Sequence, residues 1–339
     1  QATLGEAFAG IGLNITKQFD HGDWIGLSGV HGKVVDINWR FVNLLTLDGN
    51  YLSIPNSQIA KEKITNYSRP NPIHGITIKV PVSNTLSPEV AKKLLITAAT
   101  QSFKTATNPA PVATLIDYQA SNNNHQYQLS YYTSEQNESL STDEILSIFW
   151  YQCHRALEIN NETKSRHCSH EDLQIFLKEM DVFNSLNDEE LELLASQCTQ
   201  KIYGPPERIL AQGQANESLF LIYKGGVDVY IKTPENQNIK VASIKEGVYF
   251  GEMSLLTGDP AGASIVVNTE SLIIEVSHDI MATLFDKRPE LVEKISEVIV
   301  QRKLHNESVK ESLKKNLVKE TKSLISQLAD RIKGFFKRH

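Results

Sequence analysis

The sequence predicts a multidomain chain: a small β-barrel, then an α+β sandwich, then a β jelly roll with flanking helices. Three observations predict this order. Short apolar runs separated by tight turns fill residues 19–68, strands and helices alternate over residues 73–160, and short strands broken by glycine return over residues 202–276. A chain of 339 residues, 40% of them apolar, is long enough for two to three domains of ordinary size.

Composition and motifs exclude several functions. A net charge of −6 argues against nucleic acid as the main partner. Cys153, Cys168 and Cys198 form no CxxC pair, which fits a reducing compartment. The sequence has no GxSxG, HExxH or P-loop pattern, so we expect neither an enzyme nor a cofactor. The segment from His167 to His170 offers only three metal ligands and favours a solvated hinge over a zinc site.

The first 69 residues predict a helix followed by a barrel. Residues 1–16 place apolar side chains at helical spacing beside a stripe of small ones, which fits a closely packed membrane helix and a soluble amphipathic helix equally well. Residues 17–69 favour short antiparallel strands, with Asp48-Gly49 as a hairpin turn. The expected strands are Trp24–Leu27, Gly32–Ile37, Leu44–Leu47 and Tyr51–Ile54.

Residues 70–160 predict a βαββα sandwich. Ser87 followed by Pro88 marks the start of its first helix. The second helix is expected to begin with the capping signals of Ser141–Glu144 and to run to about residue 159. The strands are expected at Ile76–Val80, Val112–Tyr118 and Gln126–Tyr132. Residues 161–170 are polar and predict a linker.

The first half resembles the MscS-like mechanosensitive channel superfamily. The motifs that carry the resemblance, in order, are Leu4-Gly5, Ala9-Gly10, Asn14, Gly22-Asp23-Trp24, Gly32-Lys33-Val34, Asp48-Gly49, Ile54-Pro55-Asn56-Ser57 and Asn66-Tyr67-Ser68-Arg69-Pro70. The resemblance implies an Sm/SH3-like barrel and an α/β domain that together form the cytoplasmic vestibule of a homo-heptamer. It also implies that residues 1–16 end a pore-lining helix, that further membrane helices precede Gln1, and that the protein lies in a bacterial inner (plasma) membrane with this region cytoplasmic.

Residues 171–303 favour helices and then a β roll. We expect residues 171–200 to be helical with Leu186, Leu191 and Leu194 on one apolar face. The strands are expected at Leu219–Tyr223, Val227–Ile231, Ile239–Ile244, Ser264–Val267 and Leu272–Val276, with a hairpin near Gly225. The chain is expected to end as a helix from Pro289 to about residue 337.

This half resembles a cyclic nucleotide-binding domain, and the resemblance implies cAMP or cGMP as ligand. The residues that would form the ligand site are Phe250, Gly251, Glu252, Met253, Ser254, Ala261, Gly262, Ala263 and Ser264. Glu252 would accept from the ribose 2′-OH, and the backbone of Gly262 and Ala263 would face the cyclic phosphate. The helix from Pro289 to about residue 303 would be a lid. Together the two halves resemble the bacterial cyclic nucleotide-gated (bCNG) channels of the MscS superfamily.

Two departures from the family patterns affect function. Ala261 stands where the nucleotide-binding family has an arginine that pairs with the phosphate. Three interpretations follow: a degenerate fold that binds nothing, a site that binds a different ligand or holds the phosphate through another cation, or an engineered replacement of a native arginine by Ala261. The sandwich also lacks the strand that in the channel family follows its last helix, since Leu157–Ile159 leads into polar residues.

The helix predicted at the end of the chain argues against one other function. A soluble nucleotide-sensing regulator that binds DNA would need a helix-turn-helix, whereas the residues after Val300 predict one long helix without a turn. Residues 304–339 predict a basic amphipathic tail, which fits an exposed helix better than a membrane-surface anchor or a self-pairing segment.

Overall fold

A computed structural model describes residues 17–27, 29–118, 123–158, 167–233 and 237–308, without the side chains of residues 298 and 301–308. The expected pore helix (1–16), most of the linker and the tail from residue 309 lie outside the described residues. The chain divides into two compact units, Gln1–Leu146 and Ser147–His339. Among the helices described, none is long and apolar enough to cross a membrane.

The first unit opens with a five-stranded antiparallel sheet in the order β4-β3-β2-β1-β5. Its strands are β1 (Trp24–Leu27), β2 (Val30–Ile37), β3 (Phe41–Leu45), β4 (Tyr51–Pro55) and β5 (Ile64–Asn66), with the short helix α1 (Asn56–Ile59) after β4. Ile25, Val34, Val42 and Leu44 are fully buried in its core. Gly49 takes the positive φ of 79° that the predicted hairpin requires.

A three-stranded antiparallel sheet in the order β6-β8-β7 completes this unit. Its elements are β6 (Ile73–Ser83), α2 (Pro88–Gln101), β7 (Val112–Asp117), β8 (Asn124–Ser134), a 3₁₀ turn (Glu135–Asn137) and α3 (Glu138–Glu158). The Ser87 side chain accepts from the Val90 amide, so the predicted cap of α2 is confirmed. The predicted start of α3 was wrong, because Ser141 and Thr142 donate back to the Glu138 carbonyl inside the helix instead of capping it.

The end of α3 lies in the second unit and is bound there to a β turn. Arg155 donates through Nη1 to Glu207 Oε2 (2.8 Å) and to the Ile202 carbonyl (2.7 Å), and through Nη2 to Glu207 Oε1 (2.5 Å). Its guanidinium also lies over the Tyr203 ring at 4.4 Å. A Cβ on Gly204 would lie 1.7 Å from the Tyr151 ring, so the helix packs directly against glycine backbone.

The second unit then forms two helices where one helical stretch was predicted. They are α4 (His170–Glu179) and α5 (Asp188–Gln197), and Leu186 lies between them. The stretch divides because Asn187 begins a capping box with Glu190, which starts a new helix. In the His167–His170 segment, the Ser169 side chain caps α4 and the Cys168 amide donates to Gln200 Oε1 at 2.9 Å.

A six-stranded sheet follows, in which β10, β14, β11 and β12 lie side by side, β13 pairs with β11 and β9 pairs with β14. Its elements are β9 (Thr199–Tyr203), β10 (Arg208–Leu210), β11 (Ser218–Lys232), β12 (Asn238–Lys245), β13 (Tyr249–Phe250), α6 (Glu252–Thr257), β14 (Ser264–Ser277), α7 (His278–Lys287) and α8 (Glu290–Ser308). The hairpin predicted at Gly225 was wrong. Register shifts at Gly225 and Gly226 bend β11 without ending it, because Gly225 adopts φ 98° in a bulge.

Two hydrophobic cores share the long strands of this sheet. Leu219 and Leu221 of β11 face a core that also holds side chains of α4 to α8. Phe220 and Ile222 face the second core, inside the β roll. β14 alternates in the same way, with Ile273 in the inner core and Ile274 in the helical one. The sheet therefore separates a helix-covered face from the interior of the roll.

Candidate functional site

The nine predicted site residues lie in one segment, between β13 and the start of β14. Phe250 ends β13, Gly251 makes the turn into α6, and Glu252 is the first residue of that helix. Gly251 has φ 87°, and a Cβ there would lie 2.9 Å from the Ser218 carbonyl. Both observations require glycine at position 251, because a side chain there would be strained and would clash with the Ser218 carbonyl. The turn that presents Glu252 can therefore pack directly against the backbone of Ser218.

The second half of the segment is held by its backbone. The Ala261 amide donates to the Gln214 carbonyl and the Gly213 amide donates to the Ala261 carbonyl, both at 2.8 Å. Ser264 Oγ accepts from the Gln212 amide at 2.9 Å. The position of residue 261 is therefore fixed independently of its side chain.

The loop between β10 and β11 joins both halves of the segment. Besides its contacts with Ala261 and Ser264, it carries Asn216, whose Nδ2 donates to the Gly251 carbonyl at 3.2 Å. Sequence reasoning missed this loop. Its glycine and polar residues resemble an ordinary turn, and no local pattern connects them with residues that lie about 40 positions later.

Exposure separates the nine residues into two groups. Phe250, Ser254, Ala261 and Ser264 are buried, and Phe250 stacks on Phe220 with ring centroids 5.2 Å apart. The more accessible residues are Gly251, Glu252, Met253, Gly262 and Ala263. A Cβ on Gly262 would meet no atom within 4 Å. Among the described residues, the amides of Gly262 and Ala263 have no hydrogen-bond partner, so both remain available as donors.

At position 261 the chain lacks the positive charge that the family's arginine supplies to the phosphate. Ala261 is 3% exposed and carries no charge. Arg208 lies on β10, whose backbone pairs with Ile265 and Val266 just beyond the segment. Burial lowers the pKa of Arg208. Sequence reasoning missed this arginine because it precedes the segment by about 50 residues.

The predicted lid helix packs against the helical core. Leu291, Ile295 and Ile299 of α8 share that core with Leu255 and Leu256 of α6. At the start of α8, Arg288 donates to Glu190 Oε2 of α5 at 2.9 Å and to Glu290 Oε1 at 2.9 Å. A rearrangement of α6 or α8 would therefore change contacts in one shared core.

Comparison with known proteins assigns both parts of the chain. The family model for the mechanosensitive ion channel β-domain matches residues 3–69, and that for the cyclic nucleotide-binding domain matches residues 200–288. The chain joins a mechanosensitive ion channel β-domain to a cyclic nucleotide-binding domain. The family resemblance and the multidomain fold expected from the sequence are confirmed. Neither of these families is a family of enzymes.

Individual relatives match one domain each. The β-domain part is 39% identical to a MscS family protein of Bacillus subtilis over 67 residues, which is 20% of this chain and 18% of that protein. The cyclic nucleotide-binding part is 29% identical to a cAMP-dependent protein kinase regulatory subunit of Yarrowia lipolytica over 104 residues, which is 31% of this chain and 27% of that subunit. The chain thus spans less than a third of either relative.

Among solved structures, the closed-state crystal structure of Helicobacter pylori MscS is similar at 23% identity with a TM-score of 0.39, over 47% of this chain and 60% of that one.

Proposed function

We propose that this chain is the cytoplasmic regulatory region of a bacterial MscS-type ion channel, of the cyclic nucleotide-gated kind, in an inner-membrane homo-heptamer. Its gating would respond to cAMP or cGMP bound at residues 250–264. The observation that carries the proposal is the Gly251-Glu252 turn, where a required glycine presents an acidic residue at the first position of α6. The free amides of Gly262 and Ala263 supply the matching anion contacts.

The proposed domains keep the boundaries expected from the sequence. Residues 1–16 end the pore helix, 17–69 form the barrel and 70–160 form the α/β domain. Residues 161–170 are the linker, 171–303 form the cyclic nucleotide-binding domain, and 304–339 form the tail. Ligand at the segment would favour one arrangement of α8, and the shared core would pass that preference to α4, which follows the linker.

Ala261 favours a second candidate, a nucleotide fold that binds nothing and acts as an oligomerisation or regulatory scaffold. A hydrogen bond to a charged group contributes about 1.5–3 kcal/mol. Its absence corresponds to an affinity that is about 10- to 150-fold weaker. The two candidates differ in whether the remaining contacts compensate for that loss.

Calorimetric titration with cAMP and cGMP separates the candidates. The chain itself, Ala261→Arg and Glu252→Ala are compared, with Asp259→Arg as a control that adds positive charge two residues from the family's arginine position. Micromolar binding by the chain, lost in Glu252→Ala, supports nucleotide gating. Binding by Ala261→Arg alone, or by none of the proteins, supports the scaffold. Equal gains in Ala261→Arg and Asp259→Arg would contradict a specific phosphate position.

Patch recordings test the gating step. In patches that contain the full-length channel, cyclic nucleotide on the cytoplasmic face is expected to change the open probability. Glu252→Ala is expected to remove that change. Binding in solution without any effect on open probability would contradict the proposed coupling.

A further inference from the structure

Two histidines and two glutamates converge in the first unit, which does not contain residues 250–264. His74 lies on β6, Glu135 begins the 3₁₀ turn after β8, Glu138 is the first residue of α3, and His31 lies on β2. Backbone register explains part of this arrangement. His74 pairs with Thr133 near the end of β8, so the following turn brings Glu135 beside the imidazole.

The distances match a metal-binding group. His74 Nε2 lies 3.3 Å from Glu135 Oε2 and 3.9 Å from Glu138 Oε2. Three ligand atoms of these residues all lie within 4.8 Å of one another. Tetrahedral zinc with ligand bonds of about 2.0–2.2 Å places its ligands about 3.3–3.6 Å apart. The pair formed by His74 and Glu135 already has that separation, and Glu138 Oε2 would have to move about half an ångström closer to His74 Nε2.

Three polar atoms of this group are buried without a hydrogen bond among the described residues. The Glu135 side chain is 3% exposed, and its Oε2 has no hydrogen-bond donor within the part of the chain that the structure describes. Both ring nitrogens of His74 are buried and, within the same residues, make no hydrogen bond. Buried polar atoms without partners are costly, and a buried carboxylate is costlier still. A bound cation would satisfy Glu135 Oε2 and His74 Nε2 together.

His31 holds the other oxygen of Glu135. Its Nδ1 lies 2.8 Å from Glu135 Oε1, so one carboxylate oxygen is oriented by histidine while the second faces His74 and Glu138. Ligating carboxylates are commonly fixed by such an outer hydrogen bond. The Tyr67 ring contacts both imidazoles, with centroids 5.3 Å from His31 and 5.1 Å from His74, and limits their rotation.

We propose that His74 Nε2, Glu135 Oε2 and Glu138 Oε2 bind one divalent transition-metal ion, with His31 as a positioning residue. One imidazole and two carboxylates suit Zn²⁺, Co²⁺ or Mn²⁺, whereas Mg²⁺ and Ca²⁺ prefer oxygen ligands alone. The Glu138 side chain is 45% exposed, so the ion can enter from that side and keep a water as its fourth ligand. The ion would join β6, the turn after β8 and α3.

Metal titration of the full chain, tag-free and stripped with chelator, tests the site. Co²⁺ is followed by its visible absorption and Zn²⁺ by displacement of Co²⁺. We expect one equivalent of Co²⁺ per chain, displaced by Zn²⁺ and unaffected by a tenfold excess of Mg²⁺. Glu138→Gln changes an exposed side chain and leaves the fold intact, and it is expected to remove the absorption. His74→Gln is expected to have the same effect.

Two further variants distinguish this site from metal binding elsewhere on the chain. His31→Gln is expected to weaken Co²⁺ binding about 10- to 100-fold while keeping its stoichiometry, as for an outer-shell partner. The double variant Cys168→Ser/His170→Gln removes two of the three possible ligands in the His167–His170 segment, and we expect it to bind like the parent chain. Absence of binding by the parent, or binding that survives Glu138→Gln and His74→Gln, would overturn the proposal and leave the group as buried ion pairs.

Discussion

Removing the cation of the Arg155–Glu207 pair is expected to destabilise the second unit. Arg155→Met keeps an apolar stem over the Tyr203 ring and deletes the charge. Glu207 is 1% exposed and, among the described residues, would keep the Gly204 amide as its donor, at 2.8 Å. Breaking a buried pair from one side costs about 3–5 kcal/mol. The Arg155 side chain is 19% exposed, so we expect the lower end of that range, about 3 kcal/mol.

Differential scanning calorimetry of the full chain measures the effect. In domains of about 150–250 residues, each kcal/mol moves Tm by about 2–4 °C. The transition of the second unit should therefore fall by about 6–12 °C. Hydrogen exchange in peptides that cover β9 and β10 should rise in parallel, because these strands flank the Gly204–Glu207 turn.

A double-mutant cycle tests the physical reason. Arg155→Met/Glu207→Gln removes both charges, so it should be more stable than Arg155→Met alone by about 1–3 kcal/mol. Lys178→Met is the matched control, because Lys178 and Asp188 form an exposed ion pair with side chains 65% and 89% accessible. That control should change stability by less than about 0.5 kcal/mol. The reasoning would be refuted if the effects of Arg155→Met and Glu207→Gln, each measured alone, added up to that of the double variant. A Tm change below about 2 °C for Arg155→Met would refute it too.

Three further predictions concern the second unit. Gly251→Ala should cost about 1–3 kcal/mol, because alanine at φ 87° is strained and its Cβ would meet the Ser218 carbonyl, whereas Gly262→Ala should be nearly neutral in the same urea unfolding assay. Burial raises the pKa of Cys153 and of Cys198 to about 12, so both thiols should resist iodoacetamide at pH 8 by intact mass until urea unfolds the chain. For Asp228, burial raises the pKa, but hydrogen bonds from Lys240, Asn268 and Ser243 outweigh it and hold the pKa below its usual range. Stability from Asp228 is thus present above its unfolded pKa and lost as pH falls through the folded value, and Asp228→Asn should flatten the acid limb of stability against pH.

Local signals predicted much of the fold. The Asp48-Gly49 turn and the Ser87 cap each depend on a few adjacent residues, and the structure places both where the sequence does. Gly49 correctly marked a turn, whereas Gly225 was misleading. Gly225 predicted the end of a strand, but neighbouring strands hold β11 together across it through register shifts.

Contacts between distant residues could not be predicted in this way. His31 and Glu135 are 104 positions apart, and Arg155 and Glu207 are 52 apart. Neither pair has a spacing that a helix or strand would impose, and each charged residue alone resembles an ordinary surface side chain. Only the packing of the elements brings these groups together and buries the carboxylates of Glu135 and Glu207.

The shared strands of the β roll restrict how this chain can change in length. Leu219 to Ile222 of β11 face the two cores in alternation, so inserting or deleting one residue among them would turn the apolar side chains that follow, up to the bulge, toward the wrong core. The bulge at Gly225 and Gly226 already holds register shifts, and an extra residue there could be absorbed. Length variation should therefore be tolerated better at the bulge than between Leu219 and Ile222.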